Sequence, residues 1–161
     1  WLDKYPNLIV TRTFSKIYAL AGLRVGYAVC SEQIADLLNR VRQPFNVNTT
    51  AQVAATVALD DRQHIAKCID INTKGIKFWR AACQYRGLDY IPTVGNFITI
   101  DMENNAEPIY QALLREAVIV RPIANYGMPS HLRITISTPE DNHRCLNALD
   151  KVMEQIEMGK G

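Results

Sequence analysis

The segment Thr13-Phe-Ser-Lys-Ile-Tyr-Ala-Leu-Ala-Gly-Leu-Arg-Val-Gly-Tyr27 decides how this chain is read. It follows Leu8-Ile-Val-Thr-Arg-Thr13, a β-branched stretch that reads as a buried strand. It runs into Leu23-Arg-Val-Gly-Tyr-Ala-Val-Cys30, which reads as a second buried strand. Between them Lys16 sits amid Phe14, Ile17, Ala19 and Leu20. An apolar loop desolvates an ammonium and favours the neutral, nucleophilic amine. Thr13 and Ser15 place hydroxyls beside it, and Arg24 supplies a fork suited to a dianionic phosphate. Gly22 and Gly26 let the backbone pass close to a bound group. An amine nucleophile next to a phosphate clamp is what an aldehyde-bearing, phosphorylated cofactor requires. Pyridoxal 5'-phosphate meets that description.

Working outward, Ser31 opens a helix that runs to about Arg42, with Ile34, Leu37, Leu38 and Val41 on one face. Pro44 stops it. Asn46-Val-Asn-Thr-Thr50 reads as a turn in which Thr49 or Thr50 caps an Ala-rich helix to about Leu59. A long helical pattern then spans Asp61 to Tyr85, interrupted by Gly75 at about 1 kcal/mol relative to Ala and stopped by Arg86-Gly87. Strands are expected at Asn96–Asp101, Val118–Val120 and Leu132–Ser137, with a short helix over Pro108–Glu116. Thr138-Pro-Glu-Asp caps a final helix to about Met153, whose Leu146, Leu149, Val152, Met153 and Ile156 face inward. Strands alternate with helices throughout, so the class is α/β or α+β, with a division near the Asp60-Asp61 pair.

Composition narrows the function classes. The chain has 161 residues, 48% of them hydrophobic, which suits a folded globular protein. Its 18 Lys+Arg against 16 Asp+Glu leave a net charge of +2, no electrostatic case for nucleic acid or a membrane surface. No apolar run nears the ~18 residues that span a bilayer, and no signal pattern opens the chain. The four cysteines are far apart with no CxxC, so zinc is not expected and reduced thiols in the cytoplasm are. His64, His131 and His143 are scattered without metal spacing and are expected at the surface. Asn46 and Asn48 read as turn residues, Asn96 as a weaker site candidate, and Trp79 and Tyr85 as core.

The pattern S-K-x-x-x-L-A-G-L-R-x-G-Y over Ser15–Tyr27 resembles the lysine motif of the fold-type I aminotransferases. Leu38-Asn-Arg-Val-Arg-Gln-Pro-Phe-Asn-Val-Asn-Thr-Thr-Ala-Gln52 is similar to the histidinol-phosphate aminotransferase family in particular. So are Val120-Arg-Pro122 and Leu132-Arg-Ile-Thr-Ile-Ser-Thr-Pro-Glu-Asp-Asn142. The resemblance implies that Lys16 is the Schiff-base lysine and proton carrier. It implies that Ser15, Arg24 and Thr13 bind the cofactor phosphate. Arg133 then holds the glutamate carboxylate in one half-reaction and the phosphate of the imidazole substrate in the other, with Arg121 as the second arginine of that anion site. The implied reaction is transamination between L-histidinol phosphate and 2-oxoglutarate, in histidine biosynthesis, by a cytoplasmic homodimer.

Family enzymes are longer. Their N-terminal half supplies an aspartate for the pyridinium nitrogen, a stacking aromatic and a glycine-rich phosphate loop. The chain has no initiator Met, and the resemblance makes it the C-terminal half. Residues 1–60 are then the end of the large cofactor domain and 61–161 the small C-terminal α/β domain. On that expectation this chain alone is not a working transaminase, although its parent is. The alternatives are a non-catalytic isolated domain, a related amino-acid aminotransferase, or a threonine-phosphate decarboxylase.

Overall fold

The computed structural model describes residues Trp1–Met158. It divides into two compact units, Trp1–Ile69 and Asp70–Gly161. The parting falls inside a helix, whereas the expected division at 60/61 coincides with a joint between two helices.

In the first unit, β1 (Val10–Thr13) pairs antiparallel with β2 (Gly26–Val29), in a register that sets Thr13 opposite Gly26. A single 3-10 turn, Ala21–Leu23, lies between them. Two helices follow, α1 (Glu32–Val41) and α2 (Thr49–Asp60), and then the start of α3 (Arg62–Arg86). The core is thin: Phe14, Val25, Ala51 and Ala55, flanked by Tyr18, Leu20, Leu23 and Val47. Both strands exist where their β-branched sequences put them, but they are not buried. Every residue of β2 is exposed and β1 is exposed after Val10. A two-stranded ribbon has no second layer of its own to cover its faces. The apolar face of α1 is exposed as well, with Val41 79% accessible. The cap of α2 is Asn48 rather than a threonine. Its extended backbone aims Oδ1 at the Ala51 N–H, 2.8 Å away, and Thr49 becomes the first helical residue.

The second unit has a full core. The remainder of α3 packs with α4 (Glu107–Arg115) and α5 (Pro139–Met158) and with a four-stranded antiparallel sheet of order β3-β4-β6-β5. The strands are β3 (Tyr90–Ile91), β4 (Phe97–Asp101), β5 (Arg121–Ile123) and β6 (Met128–Thr135). Ile98 and Ile100 of β4 and Leu132 and Ile134 of β6 point into the core at strict alternation. Trp79 is wholly buried and donates its indole N–H to Asn142 Oδ1 at 3.1 Å. Asn142 returns Nδ2–H to the Ser137 carbonyl at 2.9 Å and also accepts from the Ser137 N–H, so this buried amide is satisfied. Gly75 is required: a Cβ there would run into the Ile136 side chain. A residue that weakens the helix intrinsically thus permits its close approach to the chain leaving β6. Thr138 caps α5, accepting from the Asp141 N–H at 3.2 Å.

Some expectations for this unit need correction. Val118–Val120 is not a strand. Val118 and Val120 are buried and Ile119 exposed, so the alternation is present, but pairing begins only at Arg121, opposite Arg133. Ladder bonds need a partner strand, and alternation alone does not supply one. Tyr85 is 88% exposed rather than core. Strand β3 was not expected, and α5 runs on to Met158.

Candidate functional site

The connection from β1 to β2 is a closed loop. Phe14, 4% accessible, anchors it, with the Tyr18 ring centroid 4.8 Å and the Tyr27 centroid 5.9 Å from its own. The Phe14 N–H donates to the Val25 carbonyl at 3.2 Å, extending the ladder, and the Phe14 carbonyl accepts from the Leu20 N–H at 3.0 Å. Within that ring the Ala19 N–H donates to the Lys16 carbonyl at 2.9 Å, which makes Lys16 the first residue of a tight turn. The Ser15 N–H donates to Thr13 Oγ1 at 3.0 Å. Thr13, Ser15, Lys16 and Arg24 therefore belong to one short, internally bonded segment.

The Lys16 side chain is exposed, not sequestered among apolar neighbours. Tyr18, Leu20 and Leu23 pack onto the cluster around Phe14, and Lys16 is left outside it. Any desolvation of the amine has to come from a bound group or from further protein, not from the loop. Arg24 is exposed, in the left-handed region at φ 54°, and caps the 3-10 turn through its N–H and through Nη1, both to the Ala21 carbonyl. Left-handed backbone at a non-glycine residue costs on the order of 1 kcal/mol. A glycine would serve the turn with less strain, so the guanidinium has its own reason to be there. Gly26 lies against the opposite strand, where a Cβ would meet the Arg12 carbonyl oxygen at 2.7 Å. An outward amine, a free Ser15 hydroxyl and a partly free guanidinium make a donor set that fits a phosphorylated aldehyde.

Arg121 and Arg133 lie in the second unit and are directly paired across β5 and β6. Residues directly opposite in an antiparallel pair share a face. Leu132 and Ile134 point to the core, so both arginines point away from it. The register adds Thr99 of β4 to the same row. Like charges facing each other across a ladder are destabilising. Aromatic rings hold each in place. The Arg133 guanidinium lies 4.9 Å from the Phe97 ring centroid, and Arg121 lies 5.7 Å from that of Tyr126 while Nη2 donates to the Tyr126 hydroxyl at 3.3 Å. Among the described residues no carboxylate pairs with either arginine. Two forks on one face with no protein anion are ready to receive an external one.

The weaker candidates find local roles. Asn48 is a cap, Asn46 accepts from Arg42 Nη1 at 3.2 Å, and the Asn96 carbonyl accepts from the Ile136 N–H at 2.9 Å. His131 sits 3.7 Å from Asp101, whose carboxyl is held below the ordinary range first by the Ser130 hydroxyl and then by the Glu103 N–H. Among the described residues no three His, Cys, Asp or Glu side chains gather to hold a metal ion. A cleft of about 460 Å³ near the α1–α2 joint is lined by Arg42, Phe45, Asn46 and Gln52, and none of the expected site residues borders it. The sequence did not point to Tyr126 and Phe97, because cross-strand register, not periodicity, brings rings to the arginines. Nor did it point to His64, which is half-buried and hydrogen-bonds the Ile17 carbonyl in the lysine loop at 3.0 Å.

A family model described as aminotransferase class I and II matches residues 1–149. The chain is 57% identical over 153 residues to histidinol-phosphate aminotransferase 2 of Haemophilus influenzae, covering 95% of this chain and 42% of that protein. It is 54% identical over 153 residues to histidinol-phosphate aminotransferase 2 of Pseudomonas aeruginosa, with 95% and 42% covered. It therefore spans less than half the length of these relatives. Among solved structures, the histidinol-phosphate aminotransferase from Clostridium acetobutylicum superposes with a TM-score of 0.89 at 26% identity, covering 96% of this chain and 48% of that one. The enzyme from Sinorhizobium meliloti, in complex with pyridoxal-5'-phosphate, gives 0.85 at 25% identity, covering 94% and 42%.

Proposed function

Because the chain belongs to the aminotransferase class I and II family, we propose that the longer protein carrying it transfers an amino group between L-histidinol phosphate and 2-oxoglutarate. The observation that carries this reading is the closed β1–β2 loop, which presents Lys16 with Thr13, Ser15 and Arg24 on one segment. Names of relatives at 49–57% identity support the choice of substrate. Residues 1–60 are read as the end of the cofactor domain and 61–161 as the small domain.

Lys16, Ser15, Arg24 and Thr13 would hold pyridoxal 5'-phosphate. When bound, that group supplies the electron sink for proton removal at the substrate α-carbon. Lys16 would hold the group through Nζ, and the same Nζ would move the proton during the transfer. Arg24 and Ser15 fix the phosphate end, so the reacting carbon stays within reach of Nζ. Arg133 and Arg121 orient the substrate by its anion. A carboxylate and a phosphate both fit a fork, and the second fork favours the dianion. The exposed apolar face of α1 supports a homodimer of the full-length protein, and four free cysteines support a cytoplasmic setting.

Borohydride reduction of the full-length protein with its cofactor, followed by peptide mapping, tests the assignment. The expected adduct is on Lys16; an adduct on Lys74 or Lys77 instead overturns it. Arg24→Lys is expected to weaken cofactor binding at least tenfold, about 1.4 kcal/mol, because a point charge replaces a fork. Arg133→Ala should slow both half-reactions. Arg121→Ala should slow the phosphate substrate, by about 30-fold in kcat/KM at the low end of a charge-partner loss, and glutamate less. Equal losses in single-turnover rates would remove the case for a phosphorylated substrate.

A further inference from the structure

Three carbonyls of the lysine loop, those of Phe14, Lys16 and Ile17, have hydrogen-bond partners that shape it. Those of Phe14 and Lys16 accept from backbone N–H groups of Leu20 and Ala19. Among the described residues no backbone N–H reaches the third, that of Ile17. Its partner is His64 Nε2 at 3.0 Å, from the first turn of α3, far away in sequence. A ring nitrogen at that distance from a carbonyl has to carry the proton, since two acceptors repel. The helical turn that carries the ring is held as well. The His64 backbone N–H donates to Asp61 Oδ1 at 2.9 Å, which caps α3, and Cys68 Sγ lies 3.4 Å from the same ring nitrogen, one turn along the helix. Ala19, whose amide closes the turn, sits in the left-handed region at φ 57°. A strained turn persists only where its surroundings over-determine it.

We propose that His64 is a positioning residue for Lys16: by donating Nε2–H to the Ile17 carbonyl it clamps the lysine turn to α3 and fixes the direction in which the amine leaves the loop. The proposal rests on reading Lys16 as the cofactor lysine only for its functional consequence; the clamp itself does not depend on that reading. His64 touches no cofactor or substrate in this role.

The test uses the full-length protein that carries this chain, with His64→Ala and His64→Gln. The Gln Nε2 lies where the imidazole Nε2 does and can donate to the same carbonyl. The first readout is amide hydrogen exchange at Ala19 and Leu20. His64→Ala should speed both at least tenfold, with an unchanged denaturation midpoint, and His64→Gln should restore most of the protection. The second is the selectivity of pyridoxal phosphate plus borohydride for Lys16 over Lys74, which should fall at least threefold in His64→Ala and recover in His64→Gln. Unchanged exchange in His64→Ala overturns the clamp. Preserved selectivity despite faster exchange overturns its role in directing the amine. A full-length wild-type protein that labels Lys16 no faster than Lys74 overturns the cofactor reading instead, and leaves the exchange result to judge the clamp.

Discussion

The two units solve the burial problem differently. The second encloses twenty residues in one core, from Trp79 to Val152, between helices and a four-stranded sheet. The first encloses four, and its paired strands present exposed faces. Yet the strands of the first unit are no less β-branched or apolar than those of the second. Their composition encodes burial that this unit does not itself provide. A pattern that promises burial is thus a statement about the fold the sequence serves, not about which residues supply the cover.

The largest effect that can break this contrast comes from Trp79. Trp79→Ala should destabilise the second unit by about 3–5 kcal/mol, from the cavity and the lost bond to Asn142. Phe14→Ala should cost about 1–2 kcal/mol, because its thin, half-open surroundings collapse more readily. Chemical denaturation of each variant measures both; equal losses would mean the first unit is packed as tightly as the second.

The next effect is titration. Burial pushes the Cys83 thiol up from 9.0 to about 11, against the opposing pull of the Arg86 charge. The folded state therefore keeps a proton that the unfolded state gives up first. The associated stability is fully present below about pH 9 and is lost as pH rises through about 11. Two pH units correspond to roughly 3 kcal/mol once the titration is complete. Stability measured from pH 8 to 11 should fall more steeply in the native chain than in Cys83→Ala.

A smaller effect sharpens the packing side. Replacing Gly by Ala within a helix ordinarily gains up to about 1 kcal/mol. Gly75→Ala should instead lose about 1–2 kcal/mol, because the new methyl meets Ile136. In an Ile136→Ala background, which lacks the Cγ2 that the new methyl meets, Gly75→Ala should lose less, and an equal loss would place the clash elsewhere. Smallest is the pair of caps. Asn48→Ala and Thr138→Ala each remove one side-chain cap, worth about 1 kcal/mol. Thr138→Ala should lower the global unfolding midpoint, whereas Asn48→Ala should show mainly as faster amide exchange at the start of α2. A shared global loss would mean that the two units unfold as one.

Much of this was legible because it is local. The positions of α1, α2 and α4 follow from apolar spacing, proline and capping residues, and α5 announces itself through Thr138-Pro139. The lysine segment is legible because its chemistry is contiguous. What could not be read lies in register and distance. Nothing in the sequence says that Arg121 faces Arg133, that Phe97 and Tyr126 stack on them, or that His64 reaches Ile17. The cost of Gly75 to the helix is legible, but its benefit, close approach to Ile136, is not, because it involves a residue far along the chain. The exposure of Lys16 was missed because apolar neighbours in sequence need not surround a side chain in space.

The opposed arginines of β5 and β6 carry one more consequence. The anion seat proposed above would exist on the folded sheet and not on the unfolded chain, so mass action would couple the anion's concentration to folding. At a hundredfold excess over its dissociation constant such a ligand adds about 2.7 kcal/mol. Melting in phosphate or sulfate should therefore occur at a higher temperature than in chloride of matched ionic strength, and Arg121→Ala should erase most of the difference. The measured stability of this chain is then a property of its solution as much as of its sequence.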